Sequence, residues 1–206
     1  MKIPKYIKIA VTNQVKRLIR RDLDKFEKIA LKNLASSKAA RRYEGQFPAH
    51  APIWNAIQYC AIAHLDLSIL LNQLLMAETD WRRKLFARIL ASTLFECIDD
   101  MPAVMARDFR SGITLLANKP EVWEKIESVR KNLADFGRSH REILEQIRHS
   151  TFAHREQEAD LQLEVIENLN VNLIYDLSMK FYEILKEFDN LMVLVLTEFN
   201  NRNKNK

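Results

Sequence analysis

The chain has 206 residues, 48% hydrophobic and 29% charged, the balance of a globular protein with room for a real core. Three glycines and five prolines are too few for a turn-rich β fold or a glycine-lined phosphate loop, so composition points to an all-α protein. The net charge of +5 is uneven: residues 1–46 hold 13 Lys and Arg against 4 Asp and Glu, and the remainder holds 19 against 23.

Thr12 can cap a first helix running to about residue 38, with Val15, Leu18, Leu23, Phe26, Ile29 and Leu34 recurring at roughly helical spacing. This helix lies in the basic arm, residues 1–46. Such an arm on a mildly acidic body suggests an anionic partner, nucleic acid before a membrane surface, against the plain alternative of a solvated helix face. The stretch Gly45-Gln46-Phe47-Pro48-Ala49-His50-Ala51-Pro52 reads as a linker.

A second helix is expected over 53–77, with Trp54, Ile57, Ala61, Leu65, Ile69 and Leu75 apolar. Thr79-Asp80 caps a third, over 81–99. Pro102 fits the first turn of a short fourth, which Gly112 ends. Pro120 opens a long helix over 120–148, with Glu121 and Glu124 placed for its dipole and Gly137 as a weak point. Residues 150–169 are polar and weakly periodic. Asn170 caps a last helix over 171–199, with Ile174, Leu177, Phe181, Ile184, Phe188, Leu191, Val195 and Phe199 on one face. The polar tail 200–206 is expected to be disordered. Together these elements imply an antiparallel four- to five-helix bundle over residues 52–199.

Cys60 and Cys97 sit far apart in apolar patterns and read as buried small hydrophobes, with no C-x-x-C pair for zinc. The N-terminus leads into no apolar signal core, and the apolar run Leu67–Met76 is short and broken by polar residues. A cytoplasmic location without a membrane partner is the expectation.

One segment carries chemistry: Ile147-Arg148-His149-Ser150-Thr151-Phe152-Ala153-His154-Arg155. A histidine titrates near neutrality and can carry a proton. An arginine keeps its charge and grips phosphate oxygens in a bidentate fork. Six residues apart on a continuous helix, Arg148 and His154 would differ by about 240° and share no face. A joint site therefore needs the helix to end near Ser150-Thr151, both poor helix-interior residues, or needs a second subunit. His149 and His154 are five apart, which does not suit two ligands on one helix face, so no metal and no cofactor are expected.

This segment, near the end of a long helix and before the last one, resembles the signature of the HEPN superfamily, the higher eukaryotes and prokaryotes nucleotide-binding domains. That signature is an arginine, a polar residue, several more residues and a histidine, often ending Ala-His. His149 departs from the asparagine or aspartate common after the arginine. The resemblance covers about ten residues. It implies a metal-independent endoribonuclease, frequent among toxins and defence effectors, that leaves 2′,3′-cyclic phosphate and 5′-hydroxyl ends. It further implies an RNA substrate, a homodimer uniting two motifs, a possible antitoxin partner, and Arg148 and His154 as the active pair. His149 and Arg155 are candidates for RNA contact, against a plain polar helix-end residue for His149. Glu96, a carboxylate in the apolar stretch Phe95-Glu96-Cys97-Ile98, is a candidate to orient Arg148 or His154, against a solvent-facing glutamate. His64, with Asp66 nearby, reads as a core or surface histidine. The alternatives are a catalytically silent nucleotide- or partner-binding module and an unrelated helical scaffold.

Overall fold

Pro52 sits in the first turn of α1 (Ala51–Met76), where its missing N–H deprives the helix of nothing. It therefore starts the helix, and the linker expected to reach residue 52 stops short of it. The computed structural model describes residues 14, 17, 18, 20–22, 24, 25, 27–32, 34–36, 38, 50–150 and 159–204, with only the backbone for 202–204. At every described position between 14 and 38 the backbone is helical. Among the described residues there is no strand.

Three residues after α1, Thr79 caps α2 (Asp80–Val104), its side chain accepting from the Arg82 N–H at 3.3 Å. α2 runs past Asp99 and carries Pro102 in its last turn. The expected start of a new helix at Pro102 is thus corrected. Leu94, Ile98, Met101 and Met105 continue one buried stripe through the proline, and that burial outweighs the one backbone bond a proline forfeits. The short helix comes later, as α3 (Arg107–Ala117), and Gly112 is buried inside it and does not end it. Phe109 and Ile113, both fully buried, hold that glycine's turn in the core.

Pro120 opens α4 (Pro120–Arg148), which is continuous through Gly137. There a Cβ would lie 3.1 Å from Ile98 Cγ2, so the glycine serves the close approach of α2 and α4. α5 (Ala159–Glu167) is a helix in a stretch that shows little periodicity, with Ile166 its one buried residue. Its amphipathic signal is weak because Leu161 and Leu163 remain exposed. Asn170 then caps α6 (Val171–Lys204), accepting from the Leu173 N–H at 3.1 Å. α6 continues five residues beyond Phe199, into the tail expected to be disordered, of which 205 and 206 lie outside the described residues. No glycine or proline interrupts the backbone ladder there.

The long helices run antiparallel. Tyr59 meets Asp100 across α1 and α2, and Asn132 meets Glu187 across α4 and α6. His64 pairs with Asp189 across α1 and α6, while His50 stacks edge-on with Phe199 further along. Phe109, Phe181, Phe188, Leu67, Leu90 and Ile126 fill the centre. Cys60 and Cys97 are both buried there as free thiols.

By length and composition α1 is long and apolar enough to cross a membrane, a property of the whole 26-residue helix that its run Leu67–Met76 does not reveal. It packs in the bundle against α2, α3 and α6.

Candidate functional site

Because α2 and α4 are antiparallel, the C-terminal turns of α4 lie beside Phe95, Glu96 and Asp99. Arg148 Nε stands 2.7 Å from Glu96 Oε1, and the arginine is partly withdrawn from solvent, at 29% side-chain exposure. Its guanidinium carbon lies 5.1 Å from the centroid of the Phe95 ring. The Arg141 guanidinium lies 5.0 Å from the same centroid. Phe95 is itself 5% exposed, so two cations rest on a ring rooted in the core. Arg141 reaches Asp99 with two nitrogens, Nε to Oδ1 at 3.1 Å and Nη2 to Oδ2 at 3.0 Å. This bond and the Asp99 charge hold the Arg141 pKa above its usual value. Glu145 lies 3.8 Å from Arg141 Nη1 and 3.8 Å from His149 Nε2.

Glu96 is exposed, as the solvent-facing alternative expects, and it also pairs with Arg148. The contact is to the Arg148 Nε, and the carboxylate is itself about half exposed, at 52% for the Glu96 side chain. Arg141, Asp99, Glu145 and Phe95 were not among the residues singled out in the sequence. Their signal is spacing: Arg141, Glu145 and Arg148 recur at four and three on α4, and Glu96 and Asp99 at three on α2.

The regular α4 ladder stops at Arg148, and His149 and Ser150 continue it as one wider turn. His149 is exposed. His154 and Arg155 lie outside the described residues, as do Thr151, Phe152 and Ala153. The structure therefore joins Arg148, Glu96 and His149 to one end of the bundle. Beside it, a cavity of about 470 Å³ lies between α4, α5 and the start of α6, lined among others by Gln146, Ile147, Asn168 and Asn170.

The remaining histidines and cysteines stand elsewhere. His64 is buried and pairs through Nδ1 with Asp189 Oδ2 at 3.0 Å, so its carboxylate partner is Asp189 in α6 and not the neighbouring Asp66. Asp66 is exposed, on a different face of α1. Burial pushes the Cys60 thiol well up and that of Cys97 to about 12, which keeps both protonated and unreactive. Burial also lowers the pKa of His50 and of His140, the latter helped by the Lys180 charge. Among the described residues no three His, Cys, Asp or Glu side chains converge as metal ligands.

Searches with the chain match no family model, no curated protein and no solved structure.

Proposed function

We propose that the protein is a metal-independent endoribonuclease of HEPN type, acting through Arg148 and His154. The observation that carries this reading is the setting of Arg148 at the end of α4. Glu96 pairs with its Nε at 2.7 Å, and the Phe95 ring centroid lies 5.1 Å from its guanidinium carbon. A guanidinium so oriented is prepared for two oxygens of a phosphodiester.

In the proposed step the 2′-oxygen attacks phosphorus and the bond from phosphorus to the 5′-oxygen breaks. His154 takes the 2′-hydroxyl proton. The departing 5′-oxygen receives a proton from an imidazolium, for which a homodimer would supply a second histidine. Arg148 holds the charge that develops on the phosphoryl oxygens. The products are a 2′,3′-cyclic phosphate and a 5′-hydroxyl, and the balance needs no further reactant. Toxin or defence roles, with an antitoxin as partner, belong to the same proposal.

The test is cleavage of a mixed single-stranded RNA pool in the presence of EDTA. Wild type should cleave, and Arg148→Ala and His154→Ala should each lose roughly 10²–10⁴-fold in rate. Mixing the two inactive variants should restore part of the activity if each site draws on two subunits. Full activity of both variants would remove the catalytic reading. RNA binding without cleavage by wild type would favour the silent module instead.

A further inference from the structure

α1 carries one charged side chain, Asp66, in its 26 residues, in a chain that is 29% charged. α4 carries twelve in 29 residues. Burial on every side would account for so few charges, but α1 has an open side. Asn55, Ile62, Asp66, Ile69 and Gln73 are exposed, Ile62 to 49% and Ile69 to 45%. With the half-buried Tyr59 and Met76 they follow one another at steps of four, three, four, three, four and three residues. That heptad spacing keeps a seam on one side of a helix, and it is the spacing by which one helix packs along another. The other sides of α1 are committed to α2, α3 and α6.

The chemistry of the seam narrows what can cover it. α1 has no Lys or Arg, so it offers nothing to a phosphate backbone. It also lacks the cations that border a helix lying in a lipid surface. To a charged protein surface it presents the single carboxylate of Asp66, too little for a charge-matched interface. Its fit is to another uncharged seam, and α1 carries one. Asn55 and Gln73 each donate and accept, so an amide meets an amide without mismatch. Ile62 and Ile69 supply the apolar centre, and interfaces between copies of one chain are likewise poor in charge at their core.

We infer that the outward seam of α1, from Asn55 to Met76, packs against the same seam of a second copy of this chain. The seam is about 32 Å long and one helix wide. That is at the low end of specific interfaces, and the pair is expected to form at roughly micromolar concentrations. The main contacts of α4 are with α2 and α6, so this face is apart from Arg148. The inference therefore does not rest on the cleavage chemistry of Arg148 and His154.

The experiment is sedimentation equilibrium of the full chain, without RNA, from about 1 to about 200 µM. Wild type should associate reversibly. Ile62→Glu with Ile69→Glu puts like charges into the seam of both copies and should weaken that association at least about a hundredfold. Both positions are exposed, so the fold should survive, and circular dichroism checks it. Leu161→Glu with Leu163→Glu changes two leucines of α5 that are exposed to 47% and 42%, and should associate like wild type. Asp66→Asn takes the one charge out of the seam and should associate as tightly as wild type or more tightly. A wild type that stays monomeric throughout, unchanged association in the Ile62 and Ile69 variant, or an equal loss in the α5 variant would each overturn the inference. So would a weakening of about tenfold or more by Asp66→Asn, which would mean that the seam meets a cation. Flotation of monomeric wild type with phosphatidylcholine vesicles, lost in the Ile62 and Ile69 variant, would overturn it in favour of a lipid surface.

Discussion

Two arginines of α4 cross to α2 over the same aromatic ring, and they do so differently. Arg141 spends Nε and one terminal nitrogen on both oxygens of Asp99. Arg148, seven residues on, sets Nε 2.7 Å from one oxygen of Glu96. The first arrangement closes the pair on itself and ties two helices together. The second sets a partly buried guanidinium against a carboxylate that is about half exposed. Two residues of one type, on one helix face and against one ring, are thereby divided into a clamp and a candidate phosphate grip.

The largest effect that should sharpen this division is on cleavage. Arg148→Ala should lose roughly 10²–10⁴-fold in rate, whereas Arg141→Ala should keep most of it and show only a small fall in melting temperature. Equal losses would erase the distinction. Next comes the ring they share. Phe95→Ala removes a buried side chain and should cost about 3–5 kcal/mol in a chemical denaturation experiment, while Phe95→Leu should cost much less. If Phe95→Leu keeps stability but weakens RNA cleavage, the ring's support of Arg148 is more than packing. A smaller effect belongs to Glu96→Gln. It retains an acceptor for Nε but removes the charge, so it should alter cleavage by less than tenfold and spare the fold. A loss as large as that of Arg148→Ala would make Glu96 part of the chemistry.

The smallest effect concerns His140, next in sequence to the clamp but turned toward Phe136, whose ring lies 4.9 Å away. Burial, with the Lys180 charge, holds its folded pKa below 6.5. The unfolded chain therefore takes up this proton first, and stability is lost as pH falls below about 6.5. Thermal melts between pH 7 and pH 5 should show a modest decline that His140→Gln flattens. An unchanged decline in the variant would assign it to other groups.

Much of this organisation was legible in the chain. Thr79, Pro120 and Asn170 each start a helix where their chemistry directs, and the stripe from Ile174 to Val195 is buried as its spacing requires. What failed were local signals overruled by burial. Pro102 and Gly112 read as helix boundaries, yet both lie within helices because the residues around them complete the core. α5 was invisible because a helix with one buried residue has hardly any stripe to detect. At the candidate site, Arg148 stood out by residue type, and Glu96 by its polarity among apolar neighbours. The pairing of Glu96 with Arg148, and of His64 with Asp189, joins helices far apart in sequence, and periodicity within one helix carries no register between two.

The most direct measurement is the rate of RNA cleavage, with the product ends identified, for His154→Ala beside His149→Ala, in EDTA. The account predicts that wild type and His149→Ala both yield 2′,3′-cyclic phosphate ends, with any loss in the latter under tenfold. His154→Ala should form them at least about a hundredfold more slowly. Undiminished cleavage by His154→Ala, or products ending in a free 3′-hydroxyl, would contradict it.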